Sequence, residues 1–266
     1  MNRSTTLGRA RIPGLFVSLA LMLLAWQLLV MLSGIPHFLL PAPFAILKTL
    51  FSQMQTLGLH TAITAFEVIA GLLSGCVLGI LSAILLTTSR RLRRWLLPLM
   101  VISQSLPVFA LAPLLTLWFG YGMGSKVVMA ILIIYFPVVA ATFDGLRHTS
   151  SAMLDLARTM NATPTTILLQ IRLPAALPSM ASGIRVATSV APIGAVVGEW
   201  VGSSQGLGYL MLQANGRMQT DLMFAALLCL CLMAFLLYSL VNHLLDRCLY
   251  WLPDSSRNNA LQTETH

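Results

Sequence analysis

The chain has 266 residues, of which 57% are hydrophobic and only 9% are charged, and its formal net charge is +8. Soluble domains usually carry about 25% charged residues, so this composition excludes a soluble globular protein. The positive charge does not indicate nucleic-acid binding, because basic residues of membrane proteins concentrate in their cytoplasmic loops. Several nearly uncharged runs have the length of about 20 residues that a helix needs to cross a bilayer. The composition therefore predicts an all-α, polytopic membrane protein.

Six transmembrane helices are predicted. The first, at 14–33, follows a short basic tail and is longer than the apolar core of a signal peptide, so we expect it to be retained. After it comes a proline-rich connection with an amphipathic stretch at 44–57, which predicts a helix at the membrane interface. The other five predicted spans are 61–87, 96–117, 127–143, 179–198 and 222–244. We divide the chain into a tail (1–13), a first helix with its interfacial segment (14–57), a core that contains the other five spans (58–246) and a second tail (247–266).

The distribution of Lys and Arg predicts the orientation in the membrane. With both termini in the cytoplasm, twelve Lys and Arg residues fall in the inner segments and three in the outer segments. Because inner loops are enriched in these residues, we expect both ends of the chain, and the loop at 144–178, to lie in the cytoplasm.

Glycines recur every four residues in the second predicted span, at Gly71, Gly75 and Gly79. Residues four apart lie near one face of a helix, and small residues there allow two helix backbones to approach closely. The pattern predicts a helix-packing face. It leaves open whether the partner helix belongs to the same chain or to another subunit.

Spans three and five are predicted to border a polar path. Span three contains three prolines and should be kinked or partly unwound, which is tolerated where a helix lines a cavity. Span five is the least apolar of the six. The predicted path residues are Ser103, Gln104, Arg185, Thr188, Ser189 and Glu199.

Three charged residues of the spans have alternative interpretations. Arg185 could bind an anion, pair with an acid or face the inner vestibule, and the vestibule is favoured. Glu67 lies near the outer boundary of its span, so it is either functional or simply reaches water. Glu199 precedes a glycine-rich segment, Gly202–Gly208, and could form part of a gate or contact a soluble partner.

The loop between spans four and five is unusually polar and reads as two short helices. Ser150 or Ser151 can cap a helix that ends near Met160, and Asn161 tolerates a left-handed turn better than most residues. Thr163 followed by Pro164 is a good second helix start, and Pro174 is expected to end that helix. A short, partly apolar helical pair in the cytosol predicts a docking surface for a soluble partner.

The chain has no recognisable site for nucleotide or metal. The segment Gly120–Lys126 has Ser125 where a phosphate-binding loop needs its second glycine, and it falls in an outer loop. The five histidines are scattered, so we predict no metal ligands. The sequence therefore predicts no site at which this chain could itself use a nucleotide as an energy source.

The spacing of this loop resembles that of the "EAA" loop of binding-protein-dependent ABC importer permeases. The family pattern is Glu-Ala-Ala, three residues, Gly, nine residues, Ile-x-Leu-Pro. The matching positions here are Asp155, Leu156, Ala157, Asn161, Ile171, Leu173 and Pro174, with Arg158 inside the motif. Asp replaces Glu, Leu replaces Ala and Asn replaces Gly; Asp keeps the negative charge of Glu but has a shorter reach.

The resemblance extends over about residues 37–250, through "LPAP", "LAPLLTLWFGYGMGSK" and "GEWVGSSQGLGYLM", and is closest to the nitrate, sulfonate and taurine branch. It implies a type-I importer permease fold in a bacterial inner membrane. It also implies a second permease copy, most simply in a homodimer, a cytoplasmic ATPase dimer that receives the loops and binds ATP and Mg²⁺, and a periplasmic or lipid-anchored binding protein. This chain itself would carry no cofactor and no enzymatic activity.

The solute is not determined by these motifs. The branch handles small organic anions, whereas "APIGAVVGEWVG" at 191–202 is more similar to members that carry pyrimidine precursors of thiamine. Arg185 suits an anion, while Trp200, Tyr135 and Gln104 suit a flat polar heterocycle. The alternative function is an ion-coupled secondary transporter that uses Glu67, Glu199 and Arg185 as a relay; internal repeats, which are frequent in such carriers, are not evident.

Overall fold

The computed structural model describes residues 11–104 and 106–251, without the side chains of residues 11–16, 19, 103 and 104. The predicted path side chains Ser103 and Gln104, and most of both predicted tails, therefore lie outside the described residues.

All regular structure in the described residues is helical. The elements are α1 (Arg11–Ser33), α2 (Pro43–Ser52), α3 (Met54–Thr88), α4 (Arg90–Gln104), α5 (Val108–Phe119), α6 (Met123–Arg147), α7 (Ser151–Thr159), α8 (Pro164–Thr166), a π-helical segment (Ile167–Arg172), α9 (Leu173–Gly202), α10 (Leu207–Gly216) and α11 (Thr220–Cys248). The all-α prediction is confirmed.

Four of these helices are long and apolar enough to cross a membrane: α3, α6, the continuous helix Pro164–Gly202 and α11. They contain predicted spans two, four, five and six. The first predicted span lies within the 23 residues of α1. The third is interrupted, as its prolines predicted: α4 ends at Gln104, and α5 begins after Pro107, whose backbone is extended (φ −62°, ψ 117°). Pro107 has no N–H to continue a helical hydrogen-bond ladder, so the break falls there.

Two compact units divide the chain. The first contains the described residues up to Ile63 together with Ser204–Cys231. Its core is formed by Ile46, Leu57, Leu207, Leu210, Ala225 and Ala226. Gly206, at φ 110°, donates its backbone N–H to His60 Nδ1 at 2.9 Å, which joins the start of α10 to α3.

The second unit contains Thr64–Ser203 and the chain from Leu232 onward, and α6 is its central helix. α6 packs along its length against α9. The main core cluster joins α3, α6 and α9 and includes Val68, Ile134, Val138, Ala187 and Ala191, all fully buried.

The glycines of α3 lie at its contact with α6. A Cβ on Gly71 would be 2.5 Å from the Cβ of Ala130, one on Gly75 would be 2.8 Å from Ile134 Cγ2, and one on Gly79 would be 2.8 Å from Val138 Cγ1. The partner positions also advance by four, so the two helices meet turn by turn. The helix that packs against this glycine stripe (Gly71, Gly75 and Gly79) is therefore α6 of the same chain.

Candidate functional site

The loop between α6 and α9 begins with helix α7 and a left-handed turn. Asn161 has φ 55°, one of two positive-φ residues other than glycine among the described residues. This turn lets Ala162 donate its N–H to Ala157 O at 3.0 Å, and Asn161 donates to Arg158 O at 3.0 Å. These bonds satisfy carbonyls at the end of α7 that would otherwise be unpaired. The local turn expected from Asn161 is present.

The second half of the loop starts as expected from Thr163. Its Oγ1 accepts the backbone N–H of Thr166 at 3.2 Å, and Pro164 occupies the first helical position. However, the expectation that Pro174 ends this helix is wrong, because the helix continues from Pro164 to Gly202. A π-helical segment, Ile167–Arg172, immediately precedes α9, and Leu173 donates to Leu168 O, five residues back. This wider turn accommodates a proline that lacks an N–H, so the helix continues through Pro174.

An apolar groove lies between α7 and the start of α9, with a volume of about 420 Å³. The side chains that line it are Met153, Leu156, Ala157, Met160, Gln170, Ile171, Pro174 and Ala175. Large apolar side chains on its rim are open to solvent: Leu156 is 63% exposed and Met160 is 75% exposed. Exposed apolar patches usually mark a site where another molecule binds. The groove is therefore a candidate binding surface.

The charged residues of the loop motif pair with each other. Arg158 donates to the Asp155 carboxylate at 2.8 Å, one turn apart on α7, and both side chains are more than 60% exposed. Ala157 is buried, while Ile171 and Leu173 are partly buried and Pro174 is exposed. Of the predicted motif residues, Leu156, Ala157, Ile171 and Pro174 line the groove, whereas Asp155 and Arg158 lie on α7 outside its lining.

The predicted path residues of α9 point in different directions. Thr188 is buried and donates to Ile184 O, and Glu199 is also buried. Ser189 is exposed. Arg185 donates to Asn242 Oδ1 at 2.7 Å and to Asp246 Oδ1 at 2.5 Å, both on α11. Of the three alternatives for Arg185, the structure therefore shows pairing with an acid.

One face of α9 stays open while the rest of the helix is largely buried. Beyond the loop end of α9, where Pro174 and Ala175 are exposed, the exposed residues are Ser182, Val186, Ser189, Ile193 and Trp200. They recur every three or four residues up to Ile193, and Trp200 follows two turns later. This spacing places them on a single stripe along the helix. At its far end the Trp200 ring lies 6.2 Å from that of Phe109. The stripe is a partly polar surface in a membrane helix, with an aromatic pair at one end.

A buried charge cluster lies at the opposite end of α6 and α9 from the loop. Glu67 is fully buried, with its Oε1 3.6 Å from Lys126 Nζ, and Lys126 is 5% exposed. Glu199 is 1% exposed and accepts a hydrogen bond from Thr64 Oγ1 at 2.6 Å. A Cβ on Gly198 would lie 3.1 Å from Lys126 Cα, so glycine there allows α9 to approach the lysine closely.

From the sequence, Lys126 is expected in an outer loop, and no sequence pattern brings it together with Glu67 and Glu199. The signal that could have brought them together is that Lys126 and Glu199 lie at adjacent ends of two antiparallel helices, α6 and α9. Lys126 lies in the first turn of α6 and Glu199 in the last turn of α9, which are the unfavourable helix ends for these charges. Charges so placed in apolar spans require partners, and helices joined at their other ends bring them together. Of the two alternatives for Glu67, the structure does not support contact with water, since the side chain is fully buried.

Metal ligation has no support among the described residues, since no group of three His, Cys, Asp or Glu side chains comes together there. The cysteines at 76, 229, 231 and 248 are free.

Residues 75–250 match the model of the family "Binding-protein-dependent transport system inner membrane component". A probable ABC transporter permease protein of Haemophilus influenzae is 57% identical over 88% of this chain and 95% of its own length. The formylaminopyrimidine transport permease protein of Halalkalibacterium halodurans is 35% identical over 87% of this chain and 92% of its own length.

A solved structure of the MetNI methionine ABC transporter in inward-facing conformations shares the fold. Its TM-score is 0.56 at 19% identity, and the match covers 78% of this chain and 97% of that one. The helical loop, the broken third span and these similarities agree. The chain is a member of the family of binding-protein-dependent ABC importer permeases.

Proposed function

We propose that this protein is the membrane-spanning permease subunit of an ATP-driven importer, and that the groove between α7 and α9 receives its ATPase. The observation that carries the proposal is the set of exposed apolar rim residues on an ordered loop, Leu156 and Met160 above all. Burial of these apolar side chains against a partner removes them from water and stabilises the complex. ATP and Mg²⁺ would bind the partner, and this chain would carry no catalytic residue.

The coupling role follows from how rigidly the loop is joined to the membrane helices. The π-helical segment runs without interruption into α9, which spans to Gly202 and carries the exposed stripe. A force applied at the groove is therefore transmitted along one continuous helix of 39 residues. In this proposal the ATPases close on ATP binding, move the loops of two permease copies together and reorient the path between them.

The coupling surface is tested by charge insertion with a matched control. Leu156→Glu places a carboxylate on the groove rim, whereas Leu169→Glu places the same group on an equally open residue, 56% exposed, that does not line the groove. We expect the first variant to insert in the membrane but to lose co-purification with the ATPase in detergent, and the second to retain it. Equal retention by both variants would contradict the assignment of the groove.

The location and assembly are part of the same proposal. We infer an inner-membrane protein with both termini in the cytoplasm, acting as a homodimer with an external binding protein. Cysteine accessibility labelling tests the orientation: a single cysteine at Met153 should react only with reagents that enter the cytoplasm, and one at Tyr121, 77% exposed beyond α5, only with external reagents. The reverse pattern would overturn the topology.

For the solute, we propose a pyrimidine-type precursor of thiamine rather than a sulfonate. Two observations support it: the relative of Halalkalibacterium halodurans is named for formylaminopyrimidine transport, and Trp200 with Phe109 forms an aromatic pair at the end of the exposed α9 stripe. Flat heterocycles stack on such rings. The guanidinium of Arg185, the natural anion ligand, is already held by Asn242 and Asp246.

Uptake assays separate these solutes and also the ion-coupled alternative. In cells expressing the complete importer, Trp200→Leu should raise the KM for hydroxymethylpyrimidine severalfold, Trp200→Phe should leave it near the native value, and Trp118→Leu, a 70% exposed tryptophan of α5, is the control. Sulfonate uptake at native rates, without pyrimidine uptake, would contradict the proposed pyrimidine solute. Loss of uptake with an uncoupler at constant ATP would contradict ATP as the energy source and favour the ion-coupled transporter.

A further inference from the structure

A cavity of about 260 Å³ lies between three helices of the second unit, lined by the last turn of α3, the second half of α4 and the second half of α6. Its walls are apolar side chains of those helices, such as Leu97, Val101 and Phe136. The polar residues in its lining are Asp144 and Arg147, both in the last turn of α6. Sites for drug-sized solutes usually enclose about 300–1,000 Å³, so this cavity suits a narrower apolar guest with a polar end.

Arginines gather at the polar end of the cavity. Arg147 lies over the ring of Phe143, with 5.3 Å between its Cζ and the ring centroid, which holds the guanidinium beside the cavity. On α4, Leu97 lines the cavity, and Arg93 and Arg94 precede it by one helical turn. At 100° per residue these two arginines therefore share the face of α4 that lines the cavity, while Arg91 lies about 120° away from Leu97.

These arginines have no carboxylate partners among the described residues. The salt bridges found there involve Asp221, Glu67, Asp155 and Asp246, and none is made by Arg93, Arg94 or Arg147. Asp144 lies one turn before Arg147 but does not pair with it. Arg147 in the lining and the two arginines one turn before Leu97 on the same face of α4 outnumber the carboxylate of Asp144, and the excess positive charge complements an anion.

The surface around the mouth is apolar and open. On α4, the cavity-lining side chains Leu97 and Val101 are 37% and 53% exposed, and Trp95, on the opposite face of the same helix, is 79% exposed. An exposed tryptophan next to arginines is typical of the interface between lipid headgroups and hydrocarbon. A guest with an apolar tail can therefore enter sideways from the bilayer, and its headgroup stays at the level of the arginines.

We propose that this cavity is a binding site for one anionic phospholipid. One acyl chain occupies the apolar cavity, and the phosphate binds Arg93, Arg94 and Arg147. A headgroup hydroxyl, such as those of phosphatidylglycerol, donates to the Asp144 carboxylate, which a bare phosphate would leave unmatched. The lipid joins α4 to the end of α6, three residues before the coupling loop begins at Ser150. The inference does not depend on which solute the permease carries.

The test is native mass spectrometry of the full-length chain in mild detergent, supplied with phosphatidylglycerol or with phosphatidylcholine. We expect one phosphatidylglycerol to remain bound and phosphatidylcholine to be lost. Each arginine near an anionic headgroup contributes about fivefold in affinity, so the variant carrying Arg93→Gln, Arg94→Gln and Arg147→Gln should retain about 100-fold less lipid. Arg91→Gln removes one charge from the same helix, off the cavity face, and should retain lipid as the native chain does.

A second pair of variants tests the cavity without changing charge. Val101→Trp at the lip and Ala140→Phe in the wall should each displace the acyl chain and lower retention, and either one suffices if the other fails to give a monodisperse protein. Unchanged retention by a folded cavity variant would show a surface patch of charge rather than a lipid site. Equal loss with Arg91→Gln, or displacement by glycerol 3-phosphate at concentrations like those of the lipid, would also overturn the proposal.

Discussion

Replacing Lys126 by methionine tests whether the buried charge cluster holds α3, α6 and α9 together. At the 3.6 Å that separates Lys126 Nζ from Glu67 Oε1, and with an effective dielectric constant of about 20, one charge pair is worth about 4–5 kcal/mol of Coulomb energy. Removing one partner of a buried pair typically costs about 3–5 kcal/mol, because the other charge stays buried without compensation. Methionine has a similar length and apolar stem, so the loss of charge dominates over any loss of packing.

The expected loss is therefore about 3–5 kcal/mol of folding free energy. Since about 1 kcal/mol shifts the melting temperature of a chain of this size by at least 2 °C, we expect the detergent-solubilised Lys126→Met variant to melt about 6 °C or more below the native protein. The measurement is a thermal unfolding curve followed by circular dichroism. Lys48→Met, at an exposed lysine of α2, is the control and should melt within about 1 °C of the native protein.

Removing one of the two buried carboxylates should restore part of the stability that Lys126→Met loses. Lys126→Met leaves two carboxylates, Glu67 and Glu199, in one buried site, whereas the double variant Glu67→Gln/Lys126→Met leaves only Glu199, which keeps its hydrogen bond from Thr64. The double variant should be more stable than Lys126→Met alone. A Lys126→Met protein that melts like the native one, or a double variant that melts lower still, would refute the electrostatic account.

Three further predictions use the same melting measurement. Gly71→Ala puts a Cβ 2.5 Å from that of Ala130 and should cost about 1–3 kcal/mol, whereas Gly58→Ala, with open space around it, should be neutral or stabilising by up to about 1 kcal/mol; equal effects would contradict the α3–α6 contact. Asn161→Gly should be tolerated at φ 55°, whereas Asn161→Val should cost about 1–2 kcal/mol of folding free energy. A neutral Asn161→Val variant would contradict the left-handed turn. Arg185→Leu breaks a pair whose acid is 57% exposed and should cost about 1 kcal/mol or less; a larger loss would mean that the pair is shielded from water.

The sequence by itself determined the helical class, the position of the spans and the broken third span. Those features follow from local properties: the length of an apolar run decides whether it can cross a membrane, and each proline of the third span removes one helical hydrogen bond. The break nevertheless falls at Pro107, while Pro98 and Pro113 lie inside α4 and α5. The turn at Asn161 and the start at Thr163 are equally local. This is why the loop spacing alone was sufficient to indicate the family.

Only the tertiary structure decided which residues meet. The glycine stripe of α3 predicted close packing, but nothing in the sequence showed that Ala130, Ile134 and Val138 of the same chain would fill it. Pro174 shows the same limit: a proline that usually ends a helix was accommodated by a π-helical segment that precedes it. Lys126 and Glu67 are 59 positions apart, and each is unfavourable alone in an apolar helix. Their burial becomes stable only when packing brings the charges within 4 Å, and that distance depends on all three helices together.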